Sequence, residues 1–232
     1  MSEASEYKKI VENLLGRLEY LLASGITDVP VERGAPPDGV PAAKDGLEAL
    51  NNEIAGCVVC GFRDAKARPV AGAGNPRPVI MFIGGCPTVE DEKKGRPFSG
   101  GDGAQLEKII AWMSSQAGFG IEEAYLCHAV KCRLPSGKGP SYEEAGACKS
   151  LLERQIKALA PKVIVALGPI AADFILGNPD VKGLRGRFHS FNGIKVMPTY
   201  DPATLIKAPA LKKETETDML LVIGELKKGQ QA

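Results

Sequence analysis

Four short, mainly apolar runs stand out along the chain, and each is bounded by glycine, proline or charged residues. Runs of this length and composition predict β-strands. Because apolar residues occupy them almost continuously, both faces of each strand should be buried, as in parallel sheets covered by helices. The predicted strands are PVIMFIGG at residues 78–85, AYLCHAV at 124–130, KVIVALG at 162–168 and IKVMPTY at 194–200.

Segments with apolar residues at helical spacing separate these strands. The alternation of strands and helices predicts an α/β fold with a central, mostly parallel four-stranded sheet between two helical layers, a three-layer αβα arrangement. The predicted helices cover residues 47–55, 103–115, 142–158, 169–176 and 213–228.

The first part of the chain has a different pattern. Between residues 7 and 22 leucine and isoleucine recur at helical spacing, which predicts an amphipathic helix. Residues 28–46 are rich in proline, glycine and alanine, which predicts a linker. We therefore expect an N-terminal helical segment at 1–27, a linker at 28–46 and the main domain at 47–232.

Charge and hydropathy change this picture little. A net charge of +1 and a pI near 7.5 neither require nor exclude a nucleic-acid partner, because binding depends on a local basic patch. The chain has no run of eighteen apolar residues, and its polar start, MSEASEYKK, does not resemble a signal peptide. We expect a cytoplasmic protein with no membrane contact, acting as a monomer.

Six cysteines without a secretion signal point to thiols or metal ligands and not to disulfides. Cys57 and Cys60 form a C-x-x-C pair, and Cys132 and Cys148 lie far downstream. Unrelated buried thiols, a redox pair, a zinc site and an iron–sulfur cluster are all open, since spacing alone does not choose between zinc and a cluster. The remaining two, Cys86 and Cys127, lie in or beside predicted strands and are expected in the core or a pocket wall.

Unusual segments occur at the ends of three predicted strands: GGCPTVEDEKKGRPFSGG, HAVKCRLPSGKGPS and YDPATLIK. Because the carboxyl ends of parallel strands share one edge of the sheet, we expect these segments to meet there and form a site. In the last segment Asp201 precedes Pro202. This acid is either the N-cap of a helix that starts at the proline or a reactive group facing a cleft.

Taken together, these segments resemble the iron–sulfur family four of the uracil-DNA glycosylase superfamily. That family has, in order, C-x-x-C, GEAPG, GxPFVGxAG, YxxNxxKCRPP, a later cysteine, a strand ending ALG, LRGRFH and TYHPAxLLR. Here they stand as CVVC, GGCPT, GRPFSGGDG, YLCHAVKCRLP, Cys148, VALG, LRGRFH and TYDPATLIK. The resemblance covers roughly residues 57–226.

The resemblance implies a fold, a cofactor and a DNA partner. It implies the three-layer fold of that superfamily, a [4Fe-4S] cluster and a pocket that receives a base turned out of DNA. The cluster ligands would be Cys57, Cys60, Cys132 and Cys148. Phe98 would stack on the base, beside Gly84, Cys86 and Pro87. DNA phosphates would meet Lys131, Arg133 and Lys207, with Arg185 and Arg187 as weaker candidates. His189, in LRGRFH, is either structural or near the DNA.

Three departures from the family fall at its catalytic positions. Gly85 replaces the glutamate of GEAPG, His128 the asparagine of YxxN, and Asp201 the histidine of TYHP. An ionised Asp201 would repel the negative charge of a departing base, so it either orients water as a general base or caps the helix. His128 then becomes the candidate for donating a hydrogen bond to the departing base. Gly85 has no side chain to position water, and Glu90, Asp91 or Glu92 on the following loop could supply a carboxylate instead, although a charged loop of this kind is usually just solvated.

Three functions are consistent with these residues. The first is a DNA repair glycosylase that hydrolyses the N-glycosidic bond of a deaminated base, with weak or altered activity on uracil. The second is a catalytically silent DNA- or nucleotide-binding member of the superfamily, and the third a protein whose partner is another protein. The sequence does not name the preferred base.

Overall fold

The computed structural model describes residues 43–58, 68–117, 120–134 and 142–228. The predicted N-terminal helix, most of the predicted linker and Cys60 lie outside these residues. The three-part division of the chain therefore stays a prediction.

A six-stranded sheet forms the centre of the fold, with strand order β1-β3-β2-β4-β6-β5. Neighbouring strands among β3, β2, β4 and β6 pair in parallel, and the two short edge strands pair antiparallel with β3 and β6. The strands are β1 (Ala73–Gly74), β2 (Ile80–Gly84), β3 (Ala124–His128), β4 (Val163–Leu167), β5 (His189–Phe191) and β6 (Ile194–Thr199).

Helices cover both faces of the sheet. None of them, within the part of the chain that the structure describes, is long and apolar enough to cross a membrane. They are α1 (Ala43–Gly56), α2 (Val89–Lys94), α3 (Gly101–Ala117), α4 (Tyr142–Leu159), α5 (Gly168–Leu176), α6 (Val181–Leu184), α7 (Pro202–Lys207) and α8 (Lys212–Lys228), with short 3-10 turns at Ile121–Glu123 and Pro209–Leu211.

Alternate residues of each central strand point to opposite layers, as strand geometry requires. In β2, Ile80 and Phe82 pack in the cluster that contains residues of α3 and α8. Met81 and Ile83 pack in the other cluster, with residues of α4 and α5. All four side chains are fully buried, which explains the continuous apolar run. The predicted three-layer αβα fold is confirmed.

The predicted strands form the parallel centre of the sheet with boundaries shifted by at most two residues. The sheet has six strands and not the four predicted, because β1 and β5 are too short to give a two-residue hydrophobic period. The short helices α2 and α6 also escaped prediction, since each spans little more than one turn.

The parallel register places the strand ends side by side. Gly84 pairs with His128 at the end of β2 and β3, and Leu167 pairs with Thr199 at the end of β4 and β6. Gly85 follows β2 and Asp201 lies two residues after β6. The segments singled out in the sequence therefore meet at this edge, as predicted.

A buried charge network ties α8 to the end of β6. The carboxylate of Asp218, which is fully buried, accepts hydrogen bonds from Thr199 Oγ1 (2.6 Å), from Arg185 Nε and Nη2 (both 3.0 Å) and from the Gly186 N–H (3.0 Å). Arg185 also forms an ion pair with Glu214 at 2.9 Å. Arg185 was a candidate for a DNA phosphate, but its guanidinium is committed to this network.

We expect Asp218→Ala to lower the free energy of unfolding by about 3–5 kcal/mol, because it removes the buried carboxylate that pairs with the mostly buried Arg185 and leaves only the more exposed Glu214 as its partner. Denaturant unfolding measures this loss. The control is Glu53→Ala, which breaks the two-hydrogen-bond pair with Arg154, whose side chains are about half exposed. That change should cost about 1 kcal/mol or less. Equal losses in the two variants would contradict this account.

Candidate active site

A cavity of about 310 Å³ opens at the carboxyl edge of the sheet. It brings together six of the seven predicted catalytic and base-binding residues, and its lining comes from five separate segments of the chain. Pro87, predicted to contact the base, is buried beside Cys86 but does not line the cavity. The lining residues are Gly84, Gly85, Cys86, Thr88, Phe98, Asp102, His128, Leu167, Gly168, Pro169, Ile170, Asp201, Pro202 and Ala203.

The buried carboxylate of Asp91 organises one side of this cavity. Its Oδ2 accepts the Thr88 N–H at 2.9 Å and lies 3.2 Å from His128 Nε2, and its Oδ1 accepts the Ser99 N–H at 2.5 Å. Thr88 Oγ1 in turn accepts the Asp91 N–H, which completes the capping box of α2. One side chain thus joins the start of α2, the loop that carries Phe98, and the end of β3.

Asp91 is ionised at neutral pH. Burial alone would raise its pKa, but the hydrogen bonds from His128, Thr88 and Ser99 outweigh it and hold the pKa at about 2. This corrects the hypothesis that the acidic loop supplies a carboxylate to the pocket. Asp91 is used internally, Glu92 pairs with Arg133 at 3.1 Å, and Glu90 is exposed outside the cavity lining.

The contact with Asp91 determines the tautomer of His128. Because an ionised carboxylate only accepts hydrogen bonds, Nε2 of His128 carries the ring proton and donates a hydrogen bond to Asp91. Burial lowers the pKa of His128, although Asp91 opposes the shift, so the ring is neutral at pH 7. Nδ1 is then a hydrogen-bond acceptor, and it is buried with no partner. His128 is 2% exposed and lines the cavity.

Phe98 packs on this imidazole. The two ring centroids are 4.5 Å apart and the rings are tilted by 36°. Phe98 has a φ of 52°, a left-handed conformation that is rare for a residue with a bulky side chain. The neighbouring Ser99 N–H donates a hydrogen bond to Asp91, which fixes the backbone after Phe98. The backbone of Gly103 packs against the Phe98 carbonyl, so closely that a Cβ at Gly103 would lie only 1.8 Å from the carbonyl oxygen. Strain of this kind is typical of functional sites.

Gly84 is required by the approach of these two rings. A Cβ at this position would lie 2.7 Å from His128 Nδ1 and 2.7 Å from Phe98 Cζ, so any other residue would displace the pair. Nδ1 therefore faces the backbone of Gly84, which itself lines the cavity.

Asp201 is the N-cap of α7. Its Oδ1 accepts the Thr204 N–H at 2.9 Å and its Oδ2 accepts the Thr204 hydroxyl at 2.7 Å, with Pro202 in the first helical turn. The capping interpretation is confirmed. Asp201 also lines the cavity and lies against Gly168, where a Cβ would come within 2.9 Å of it. Capping and facing the cavity are thus compatible.

The chain matches the Uracil DNA glycosylase superfamily over residues 71–222. It belongs to this superfamily. It is similar to the type-4 uracil-DNA glycosylase of Archaeoglobus fulgidus, with 33% identity over 191 residues that cover 78% of this chain and 94% of the relative. The type-4 enzyme of Thermotoga maritima is 34% identical over 164 residues, which cover 69% of this chain and 83% of the relative. The predicted resemblance is therefore confirmed.

The type-5 uracil-DNA glycosylase of Pyrobaculum aerophilum is a further relative. It is 29% identical over 168 residues, which cover 66% of this chain and 74% of the relative.

Gly85, a predicted catalytic position, lies against an apolar side chain. A Cβ on Gly85 would lie 3.2 Å from Cβ and 3.3 Å from Cδ1 of Ile170. These distances are tighter than ordinary van der Waals contacts, so a larger residue at position 85 requires Ile170 to shift.

Asp102 is a cavity residue that the sequence patterns did not single out. It lies at the start of α3, its Oδ1 accepts the Gly103 N–H at 3.0 Å, and it lines the cavity together with Asp201. A signal was present, because GGDG places an acid where the family motif GxAG has alanine. The cavity therefore has two carboxylates.

The predicted phosphate contact of Lys131 is wrong. Lys131 is 1% exposed, and its Nζ donates to the His128 carbonyl (2.6 Å) and to Gln155 Oε1 (2.5 Å). Gln155 continues this chain of hydrogen bonds to the Ala71 carbonyl at 2.9 Å. Lys131 thus binds the backbone carbonyl at the end of β3 and is too deeply buried to contact DNA.

The other basic residues predicted to contact DNA phosphates are more exposed than Lys131. Lys207 and Arg187 are exposed, and Arg133 is about one-third exposed while paired with Glu92. His189 has a structural contact, since its Nε2 donates to the Leu184 carbonyl at 2.8 Å. Phosphate contacts of Arg133 and Lys207 stay predictions.

Three of the predicted cluster cysteines lie in the described part of the chain. Cys132 and Cys148 are buried in one hydrophobic cluster. Cys57 packs against a smaller cluster that contains Leu151, which lies one turn after Cys148 on α4. Cys127 is buried in β3, and Cys86 is partly buried in the cavity lining, as predicted for these two.

The low pKa of Asp91 makes a prediction about acid stability. A carboxyl whose pKa falls on folding stabilises the native state above its ordinary pKa, and this contribution disappears as the pH falls through the folded value. We expect Asp91→Asn to lower the free energy of unfolding by about 2 kcal/mol at pH 7, with the difference from wild type shrinking between pH 4 and pH 2.

Denaturant titrations across this pH range measure the effect. The charge-matched control is Asp173→Asn, at an exposed position of α5. It should show only a small difference from wild type at pH 7, because its side chain is exposed. A constant difference for Asp91→Asn from pH 2 to pH 7 would refute the ionised Asp91.

Proposed function

We propose that this protein is a DNA glycosylase that hydrolyses the N-glycosidic bond of a damaged base, with weak or altered activity on uracil. The observation that carries the proposal is the cavity at the carboxyl edge of the sheet, where the Phe98 ring, His128 and two carboxylates converge in a chain of this superfamily. Its DNA substrate is supported by the names of its relatives, which are uracil-DNA glycosylases.

The cavity suits a single base turned out of a DNA strand. Its volume of about 310 Å³ is at the lower end of small-molecule sites. The Phe98 side chain offers a stacking surface that accepts any base, and base extrusion gives the enzyme access to the sugar carbon. The rigid placement of Phe98 by Asp91 and Gly103 reduces the ordering that binding requires.

Two carboxylates are available for the attacking water. We assign Asp201 to orient water against the anomeric carbon as a general base, with Asp102 as the second acid of the cavity. The hydrogen bonds from Thr204 hold the Asp201 carboxylate in place, and each oxygen keeps a lone pair for water.

Uracil fits the polar groups of the cavity poorly. The uracil edge presents an N–H between two carbonyl oxygens, so it needs donors as well as an acceptor. His128 offers only the acceptor Nδ1, because its Nε2 proton is bound to Asp91. For the same reason the expected hydrogen bond from His128 to the departing base does not form with a neutral ring. Weak uracil excision follows.

A second candidate function is DNA binding without catalysis. The observation in its favour is that His128, the residue expected to donate to the departing base, has its Nε2 proton bound to Asp91. Exposed Lys207 and partly exposed Arg133 would still contact phosphates and give salt-dependent affinity. The two candidates differ only in whether abasic sites are produced.

We also propose that Cys57, Cys60, Cys132 and Cys148 hold a [4Fe-4S] cluster. The type of donor supports the proposal, because four thiolates are the usual ligands of such a cluster. Cys57 packs beside Leu151 of α4, and Cys148 lies one turn before Leu151 on the same helix. Cys57, Cys132 and Cys148 do not form a preassembled group of metal ligands among the described residues, and Cys60 lies outside them. When bound, the cluster would cross-link these segments.

The activity test uses oligonucleotides that carry uracil, hypoxanthine, xanthine or a mismatched base, with abasic sites scored under single-turnover conditions. We expect release of at least one damaged base and weak or no release of uracil. Asp201→Asn should lower the rate by about a hundredfold or more, since it removes the charge, while stability stays within about 1 kcal/mol because asparagine also caps helices.

Two results would contradict this proposal. Abasic sites from none of the substrates would favour the silent DNA-binding function. Full activity in Asp201→Asn would mean that Asp201 acts only as the helix cap.

The colour and the iron content of the purified protein test whether the cluster is present. Protein purified under low oxygen should be brown and contain about four irons per chain, and Cys132→Ala should lose colour and iron together. Cys127→Ala, at a buried cysteine outside the proposed ligand set, is the control and should keep the iron. Colourless protein with stoichiometric zinc would overturn the cluster.

A further inference from the structure

Acceptors and negative charge predominate among the polar side chains that line the cavity. Asp102 and Asp201 are carboxylates, and the neutral His128 offers only Nδ1. The Thr88 hydroxyl accepts the Asp91 N–H and keeps its own O–H as a donor, and the Cys86 thiol is a weak donor. Neither lysine nor arginine is found among the described residues that line the cavity.

The buried Nδ1 of His128 is the most informative of these groups. Nδ1 lies against the Gly84 backbone at the cavity wall, and as a buried acceptor without a partner it costs free energy. A ligand whose N–H reaches Nδ1 past Gly84 would recover part of this cost. The ring is held by Asp91 on one side, by Phe98 across its face and by the Gly84 backbone beside Nδ1. It therefore keeps this orientation before any ligand binds.

On the basis of the proposed glycosylase function, we infer that the cavity takes a base that carries positive charge, of the N-alkylated purine class. Such a base offers N–H donors to His128 and an electron-poor ring to Phe98. Asp102 and Asp201 would attract its charge in a partly buried site, where water screens less than at the surface. Purines alkylated on a ring nitrogen, such as 7-methylguanine, have this charge.

The chemistry of a cationic base explains the missing catalytic groups. When its C1′–N bond breaks, the electron pair returns to the base and cancels the positive charge. The base therefore leaves neutral, and no group is needed to stabilise an anion. Water then adds to C1′, and its proton passes to a carboxylate and on to solvent. The products are the neutral alkylated base, an abasic sugar and one proton.

Cleavage of the C1′–N bond also explains why the cavity contains the carboxylates of Asp102 and Asp201. Positive charge moves from the base to the sugar as the bond breaks, and a nearby carboxylate stabilises it there. An aspartate at position 201 is harmful to an anionic leaving group but favourable to this one. The departures at His128 and Asp201 then belong to one change of substrate and not to a loss of function.

The test compares two properties of the full-length protein. Release is measured on oligonucleotides with a single 7-methylguanine, uracil or hypoxanthine, corrected for spontaneous loss. Binding is measured on 2′-fluoro versions of the same oligonucleotides, which resist hydrolysis. We expect 7-methylguanine to be released at least tenfold faster than uracil and its analogue to bind at least tenfold more tightly.

Variants test whether the two cavity carboxylates are responsible for binding the cationic base. Asp102→Asn combined with Asp201→Asn should weaken binding of the 7-methylguanine analogue tenfold or more while changing uracil-analogue binding less than twofold. Asp173→Asn removes one exposed carboxylate away from the cavity and should change neither. A thermal melt of each variant checks that the fold is retained.

The outcomes separate this inference from the proposed function. Release of uracil or hypoxanthine with no preference for 7-methylguanine would overturn the inference and leave the glycosylase function standing. Release of no base would overturn the glycosylase function, and the binding series would then decide the inference. Tighter binding of the cationic base would support it, and equal binding of all three analogues would overturn it.

Discussion

The buried carboxylate of Asp91 is the interaction on which the candidate site depends. It holds the first turn of α2 through Thr88, the strained loop of Phe98 through Ser99, and the ring of His128 at the end of β3. Removing one acceptor would release three segments at once. The carboxylate also determines which nitrogen of His128 carries the proton, so a buried structural contact sets the chemistry of the cavity.

The departures from the type-4 pattern are mutually consistent in this structure. Gly85 packs closely against Ile170, His128 donates a hydrogen bond to Asp91, and Asp201 caps α7 through Thr204. Each of the three residues has a defined contact in the fold. The strand ends that carry them lie side by side, and the Phe98 ring lines the same cavity.

The sequence predicted the central strands because burial on both faces leaves a continuous apolar run. It also placed Gly85, His128 and Asp201 at one edge, since parallel strands end together. It did not predict the burial of Lys131 or Asp91. Their partners Gln155 and His128 lie 24 and 37 residues away, and local patterns of charge carry no information about such contacts. The short strands β1 and β5 were missed because two or three residues establish no period.

The central claim is that Asp91 holds His128 as a neutral ring with an acceptor Nδ1. Nitrogen-15 NMR of the imidazoles tests it directly, because the chain has only two histidines and His189→Gln leaves one. The account predicts a proton on Nε2 and none on Nδ1 of His128 at pH 7. A proton on Nδ1, in either the other tautomer or an imidazolium ion, would contradict it.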